Sequence, residues 1–237
     1  MSFLSRLHTE LRITRLTRRG ATQRNDTPLQ GTHKEYPRME RIALPEPATI
    51  PMSLTDALSA RQSTIEKHQG LPLSLEDISA VLGHGLRKRS KQNTRNYPSG
   101  GQLYPIETYL IATEISGARS GVYHYHPTAH ALERLWDLPN AFEVDQLIDN
   151  NRYLPPTLIL LFTSVWARSS IKYGDLTYLH ALLETGHMSE NVLLLASALG
   201  LEARPMAGFN DDLATELLDL KPEQEQPVHS IILARST

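Results

Sequence analysis

The stretch "TLILLFTSVW", Thr157 to Trp166, restricts what this chain can fold into more than any other. It is almost continuously apolar and rich in strand-forming side chains, without the alternation of a strand wetted on one face. Such a run is the pattern of a central strand covered on both sides. The cover has to come from elsewhere in the chain, and "LTYLHALLETGHMSENVLLLASALGL" predicts a long apolar helix from Leu176 to about Leu199, stopped by Gly200. "SLTDALSARQSTIEKH" also has helical spacing. In "PLSLEDISAVLGHGLRKRS", Ser74 stands three residues before Asp77 as a capping-box opening, and the helix is expected to break at Gly83 and Gly85. "ETYLIATEI", "GVYHYHP" and "PVHSIILARST" read as strands, and the residues around "HALERL" as a strand or short helix. "ARPMAGF" reads as a connection leading to an acidic helix, "NDDLATELLDL". Helices and strands mix without regular βαβ alternation, so the expected class is α+β.

A chain of 237 residues, 40% of them hydrophobic, can bury one sizeable core. Its expected organisation is a basic arm and linker, 1–50, and one folded body, 51–237. Residues 1–43 hold nine Lys/Arg against four Asp/Glu, although the whole chain has a net charge of −2. Leu4, Leu7 and Leu11 share a helical face among arginines, which predicts a solvated helix packing on the body or on a twin subunit. The alternatives are a basic arm recruiting an acidic partner, or an organellar presequence. Overall charge gives no pull toward nucleic acid. No window approaches the roughly 18 apolar residues of a membrane span. Cysteine is absent, which removes disulfides, thiolate metal sites and thiol nucleophiles together and points to a cytoplasmic protein.

There is no GxGxxG, P-loop, GxSxG or HExxH pattern. Among the ten histidines, His124 and His126 alternate along one strand and His130 follows Pro127, without a carboxylate at ligand spacing. A surface or core-edge role is expected for them, and no metal site.

Four other features carry chemistry. In "PSGGQ", Pro98 to Gln102, Gly100 and Gly101 let a ligand approach the backbone, Ser99 offers a hydroxyl, and Gln102 a donor and an acceptor. Such a corner can read the edge of a flat ring system; it is also an ordinary hairpin turn. In "PMAGF", Ala207 and Gly208 can turn backbone N–H groups outward, or simply connect two elements. In "ARQS", Arg61 and Ser63 stand two apart near a helix end, fit to hold a phosphate by charge and hydroxyl. Arg235, in the last strand, is a further phosphate candidate.

"RNYPSGGQLYPIETYLI", "GVYHYHPTAHALERL" and "IKYGDLTYLHALLETGHMSENVLLLASALGLEARPMAGF" together resemble the SagB-type dehydrogenases of the FMN-dependent nitroreductase superfamily, and within them the McbC-like azoline oxidases. The resemblance runs from about residue 55 to 235. It implies a nitroreductase-like fold, a central, mainly antiparallel sheet flanked by helices, dimerised through long helices with FMN between the two chains. The family's phosphate motif falls on Arg61 and Ser63, and its next basic position on Ile65, which carries no charge. The turn against the isoalloxazine falls on Pro98, Ser99 and Gly100, with Gln102 just beyond. The segment over flavin N5 falls on Ala207 and Gly208. The catalytic Lys-Tyr pair falls on Lys172 and Tyr173. Where relatives carry arginine, Tyr178 is followed here by Leu179.

The implied reaction is oxidation of thiazolines or oxazolines in a precursor peptide to thiazoles or oxazoles, beside a ring-forming cyclodehydratase complex. A neighbouring base takes a proton while hydride leaves for the flavin; a desolvated lysine can be that base. Because adjacent side chains diverge on a strand, Lys172 and Tyr173 must sit on a bend or helix start to share a site, and Gly174–Asp175 supply one. Molecular oxygen is the expected final acceptor. Two other readings fit the same scaffold: an NAD(P)H-dependent nitro or quinone reductase, and a non-catalytic subunit of a peptide-modifying complex. The carrier of the ring is also open to a nonribosomal assembly line.

Overall fold

The computed structural model describes residues 3–18, 33–63, 71–89, 94–148 and 157–235, with the side chains of 12–18 left aside. Ile65, most of the arm's linker, and the end of the helix expected from "SLTDALSARQSTIEKH" lie outside the described residues.

Seven strands form one sheet: β1 (Glu40–Ala43), β3 (Ile106–Ala112), β5 (Gly121–His126), β6 (Ala131–Trp136), β7 (Leu158–Val165), β8 (Glu202–Met206) and β9 (Glu225–Ala234). Their order is β1-β6-β5-β3-β7-β9-β8, with every neighbouring pair antiparallel. β2 (Leu73–Ser74) and β4 (Ile115–Ser116) make a small parallel pair beside it. The stretch read as a central strand is β7, fully paired with β3 on one side and β9 on the other. Its side chains alternate between two cores, as period-two geometry requires. Leu158, Leu160 and Phe162 meet one cluster, Ile159 and Leu161 the other.

Of the helices, α1 (Phe3–Arg18) lies in the arm, and α2 (Leu54–Ala60) and α3 (Leu75–Leu86) open the body. α4 (Val144–Leu147), α5 (Ala167–Tyr173), α6 (Leu176–Ala198) and α7 (Asp211–Leu217) follow. The 23 residues of α6 reach about 35 Å along one face of the sheet. Ala181, Met188, Val192 and Ala196 lie on its buried stripe, seven, four and four residues apart. α6 ends where expected: Leu201 N–H closes on Ala196 O at 2.8 Å while Gly200 takes φ +68°. α4 and α7 cover the opposite face through Leu147 and Leu217.

Three expectations are corrected. The capping box of α3 is present in both of its bonds, but the helix runs on through Gly83 and Gly85 to Leu86. Those glycines mark close packing: a Cβ on Gly83 would stand 2.2 Å from Pro47 Cγ, and one on Gly85 3.1 Å from Leu195. "ARPM" is an edge strand, where Pro205 lacks only a donor that the edge does not need. His124, His126 and His130 are buried, at 0%, 5% and 2% exposure.

Candidate functional site

The turn before β3 and the end of α5 meet. Gly101 (φ +63°) and Gln102 (φ +58°) are both left-handed, and Gln102 N–H closes the turn on Ser99 O at 3.1 Å. Pro98, Gly101 and Gln102 are exposed and Ser99 is half-buried. A Cβ on Gly101 would lie 2.6 Å from Tyr173 Oη and 2.8 Å from Lys172 Nζ; one on Gly100 would lie 3.3 Å from His180 Nδ1. Only glycine admits both side chains so close. Lys172 and Tyr173 share the site because they end α5, where Gly174 turns the chain (φ +53°) and its N–H bonds Ser170 O at 2.7 Å. The bend is therefore a helix end rather than a helix start. Lys172 Nζ lies 5.4 Å from the Tyr173 ring centroid, and His180 meets that ring edge-on at 4.4 Å.

Behind the turn stands Glu184, 2% exposed on the buried face of α6. Ser99 Oγ–H donates to Glu184 Oε2, and Tyr104 N–H donates to Ser99 Oγ at 2.9 Å. Glu184 Oε1 is buried with no hydrogen-bond partner among the described residues. Burial pushes this carboxyl up to about 7, against the pull of Ser99, Arg95, the Ile106 backbone N–H and Arg168. Glu184 escaped the sequence reading, yet one signal was there: a single carboxylate between Ala181 and Met188 on the apolar stripe.

The phosphate candidates form a separate group. Arg61 caps the end of α2 and its Nη1 donates to Ser63 Oγ at 3.2 Å; Arg204 Nη1 of β8 donates to Ser63 O at 2.8 Å. Arg204 is a basic neighbour that the sequence reading missed. Arg235 is committed elsewhere, bonding Asp77 Oδ1 at 2.6 Å. Ala207 and Gly208 leave β8 exposed, and a Cβ on Gly208 would meet nothing within 4 Å. β3 starts opposite Ser164, which pairs with Gln226, and β8 ends opposite Ser230 heading the same way. The two small-residue corners therefore lie toward one end of the sheet, about 14 Å apart across three strand spacings and offset by a further four residues along β9, from Gln226 to Ser230. At the elbow between α5 and α6, a cleft of about 530 Å³ opens beside Trp166, Ser170, Gly174 and Tyr178, with Leu7 and Leu11 of α1 on its other wall.

On the opposite face lies a buried ionic cluster. His124 Nε2 meets Glu107 Oε2 and its Nδ1 meets Glu133 Oε2, both at 2.9 Å. Both carboxylates sit well below their usual range and His124 above its own, so both ring nitrogens donate. Arg168 of α5 donates to Glu107, and Lys34 of the arm bonds Glu225 at 2.6 Å. His33, Glu35 and His126 have ligand atoms within 4.8 Å of one another. However, His126 Nδ1 accepts Ala129 N–H at 3.0 Å, so the neutral ring keeps its proton on Nε2, where a metal would need a lone pair. Hydrogen bonding explains that group without a cation.

Comparison with known proteins agrees with this fold. MJ1384 of Methanocaldococcus jannaschii, assigned to the nitroreductases, is 28% identical over 181 residues, 76% of this chain and 90% of its own. The microcin B17-processing protein McbC of Escherichia coli is 32% identical over 163 residues, 66% of this chain, and the trifolitoxin-processing protein TfxB of Rhizobium leguminosarum 25% over 207, 80% of this chain. This chain spans 60% of the length of McbC and 55% of TfxB. A chain of the E. coli microcin synthetase McbBCD complex with truncated pro-MccB17 bound superposes with a TM-score of 0.67 at 24% identity, covering 92% of this chain and 84% of that one. An Exiguobacterium sibiricum protein solved with FMN superposes at 0.54 with 12% identity, covering 80% and 90%. The nitroreductase family model matches residues 59–234, which takes in both corners, the Lys172–Tyr173 elbow and the whole of α6, and the chain belongs to that family.

Proposed function

We propose that this chain is an FMN-dependent dehydrogenase that oxidises thiazoline or oxazoline rings of a modified precursor peptide to thiazoles or oxazoles. The observation that carries this reading is the packing of Lys172 and Tyr173 directly on Gly101 of an exposed, ligand-accessible turn. The similarity to two peptide-processing proteins supports the substrate class.

The residues present fit a flavin mononucleotide. Arg61, Ser63 and Arg204 offer charge and hydroxyl to a phosphate, with Arg235 joining them only by releasing Asp77. Pro98, Ser99, Gly100 and Gln102 would line one edge of the ring, and Ala207 and Gly208, with open space above them, the other. When bound, FMN supplies the acceptor for a hydride and its two electrons. Within one chain the two corners are too far apart to grip one ring closely, which favours a site completed by a second copy. Ile171, Tyr178, Leu182 and Leu183 leave α5 and α6 with exposed apolar side chains suited to that homodimer contact.

One carbon of the azoline gives up hydride and its neighbour a proton. Lys172 receives that proton, and Tyr173, held by the edge of His180, orients or relays it. Lys172 is exposed in the single chain, so the bound peptide or the second copy would supply the desolvation that a basic amine needs. The cleft at the α5–α6 elbow offers room for peptide, delivered by a ring-forming partner complex.

Mass spectrometry of an azoline peptide incubated with the FMN-loaded protein tests the reading; each ring should lose two hydrogens. The similarity to MJ1384 favours a second reading, an NAD(P)H-dependent nitro or quinone reductase. Flavin bleaching by NAD(P)H with an unchanged peptide mass would select that one.

A further inference from the structure

We propose that Glu184 is a positioning residue whose protonation decides whether the Ser99 hydroxyl offers its hydrogen, or only a lone pair, to a ligand seated on the Pro98–Gln102 turn. The identity of that ligand as a flavin rests on the reading above; the hydrogen-bond logic rests on three atoms.

Ser99 Oγ owns one hydrogen and two lone pairs. Tyr104 N–H occupies one lone pair at 2.9 Å. An ionised Glu184 can only accept, so Ser99 must spend its hydrogen on Glu184 Oε2 and turn a lone pair outward. A protonated Glu184 donates to the second lone pair instead, and the Ser99 hydrogen is released toward the exposed side of the turn. Ser99 is half-buried between exposed Pro98 and the exposed pair Gly101 and Gln102, so the released hydrogen has somewhere to go. The switch is binary because the backbone of Tyr104 is fixed: its N–H holds Ser99 while its own hydroxyl accepts Arg95 N–H at 3.0 Å.

The charges around Glu184 are balanced for such a change. Arg95 and Tyr97 face it from the segment before the turn, Arg168 from α5, and His180 stands one turn earlier on α6. The Ser99 hydroxyl, the two arginines and the Ile106 backbone N–H favour the carboxylate; burial favours the acid. That opposition lets the group change state near neutrality.

The test has two parts. FMN is titrated by fluorescence quenching into the apo form of wild type, Glu184→Gln and Ser99→Ala from about pH 6 to about pH 8, a window set by the carboxyl's position. Glutamine keeps the shape and always donates, so it imitates the protonated acid. Wild-type Kd should rise about three- to tenfold with pH, the size of one hydrogen bond, Glu184→Gln should hold the low-pH value, and Ser99→Ala should bind weakly throughout. Ionisation of the FMN phosphate affects all three alike. Separately, infrared spectra of the flavin-free wild type should show a carboxylic acid band that fades as pH rises through about 7. FMN binding with parallel wild-type and Glu184→Gln profiles, or absence of the acid band at low pH, overturns the inference and leaves the flavin reading intact. Failure of every variant to bind FMN removes both.

Discussion

A methyl group on Gly101 would stand 2.8 Å from Lys172 Nζ, closer than side-chain carbons and amines tolerate. The same carbon would meet Tyr173 Oη at 2.6 Å, and the backbone is already at φ +63°. Gly101→Ala should therefore displace both side chains together. We expect turnover of the azoline peptide to fall by about 10- to 100-fold, the usual penalty for moving a reacting group by an ångström, with FMN affinity changed far less. A parallel loss of both would mean that Gly101 serves the turn and not the pair.

Lys172→Ala tests the proton acceptor itself. Lys172 ends α5 with an exposed side chain, so its removal leaves the core intact. The variant should stay yellow and keep its melting temperature while peptide oxidation falls at least about 100-fold, the lower range for losing a general base. Activity near the wild-type level would end the base assignment.

What the sequence made visible was what it repeats or concentrates. The apolar run of β7, the stripe of α6 and the Ser74–Asp77 capping box each put their signal into neighbouring or periodic positions, and each stands where it was expected. β1 and β8 escaped because edge strands are short, half-wet and tolerant of proline. Gly83 and Gly85 misled because a glycine kept for close approach looks like one kept for a break. In the site, Ser99, Gly101, Lys172 and Tyr173 could be named, but not that Glu184 lay behind them, since one carboxylate on an apolar stripe reads as a helix-surface residue until its burial is known. The ionic cluster was invisible because Lys34, Glu107, His124 and Glu225 meet only through sheet pairing and the docking of the arm.

Stability should depend on pH from both sides. Glu107 and Glu133, held low by His124 and the arginines, contribute above their ordinary value of 4.5 and lose that contribution as pH falls through their depressed values. His124, raised by its two carboxylates, contributes fully below 6.5 and loses it as pH rises through its higher folded value. Glu184 acts in the same sense: raised from 4.5 to about 7, it costs stability as pH climbs through that interval. The cost is on the order of 3 kcal/mol. His33, His126, His130 and His229, held low by burial, oppose Glu184 by adding stability as pH rises to 6.5, so calorimetric melts should peak near 6.5. Glu184→Gln should remove the loss that Glu184 imposes between 4.5 and about 7 and so steepen the rise toward that maximum. A Glu184→Gln profile parallel to wild type would contradict the assignment.

Lys34 ties the arm to the sheet, its Nζ bonding Glu225 Oε2 at 2.6 Å and Tyr109 Oη at 2.8 Å while its backbone N–H reaches Glu107 at 2.7 Å. Glu225 is 5% exposed and, among the described residues, keeps the hydroxyls of Tyr109 and Thr163 once the ammonium is gone. Lys34→Met preserves the stem and removes the charge, so it should destabilise by about 3–5 kcal/mol, the cost of a buried carboxylate stripped of its cation. Adding Glu225→Gln removes the stranded charge, and the double variant should recover part of that loss in urea unfolding. Additive losses would show that the Lys34 ammonium acts through a partner other than Glu225, such as Tyr109 Oη, and that the ion pair contributes nothing to holding the arm.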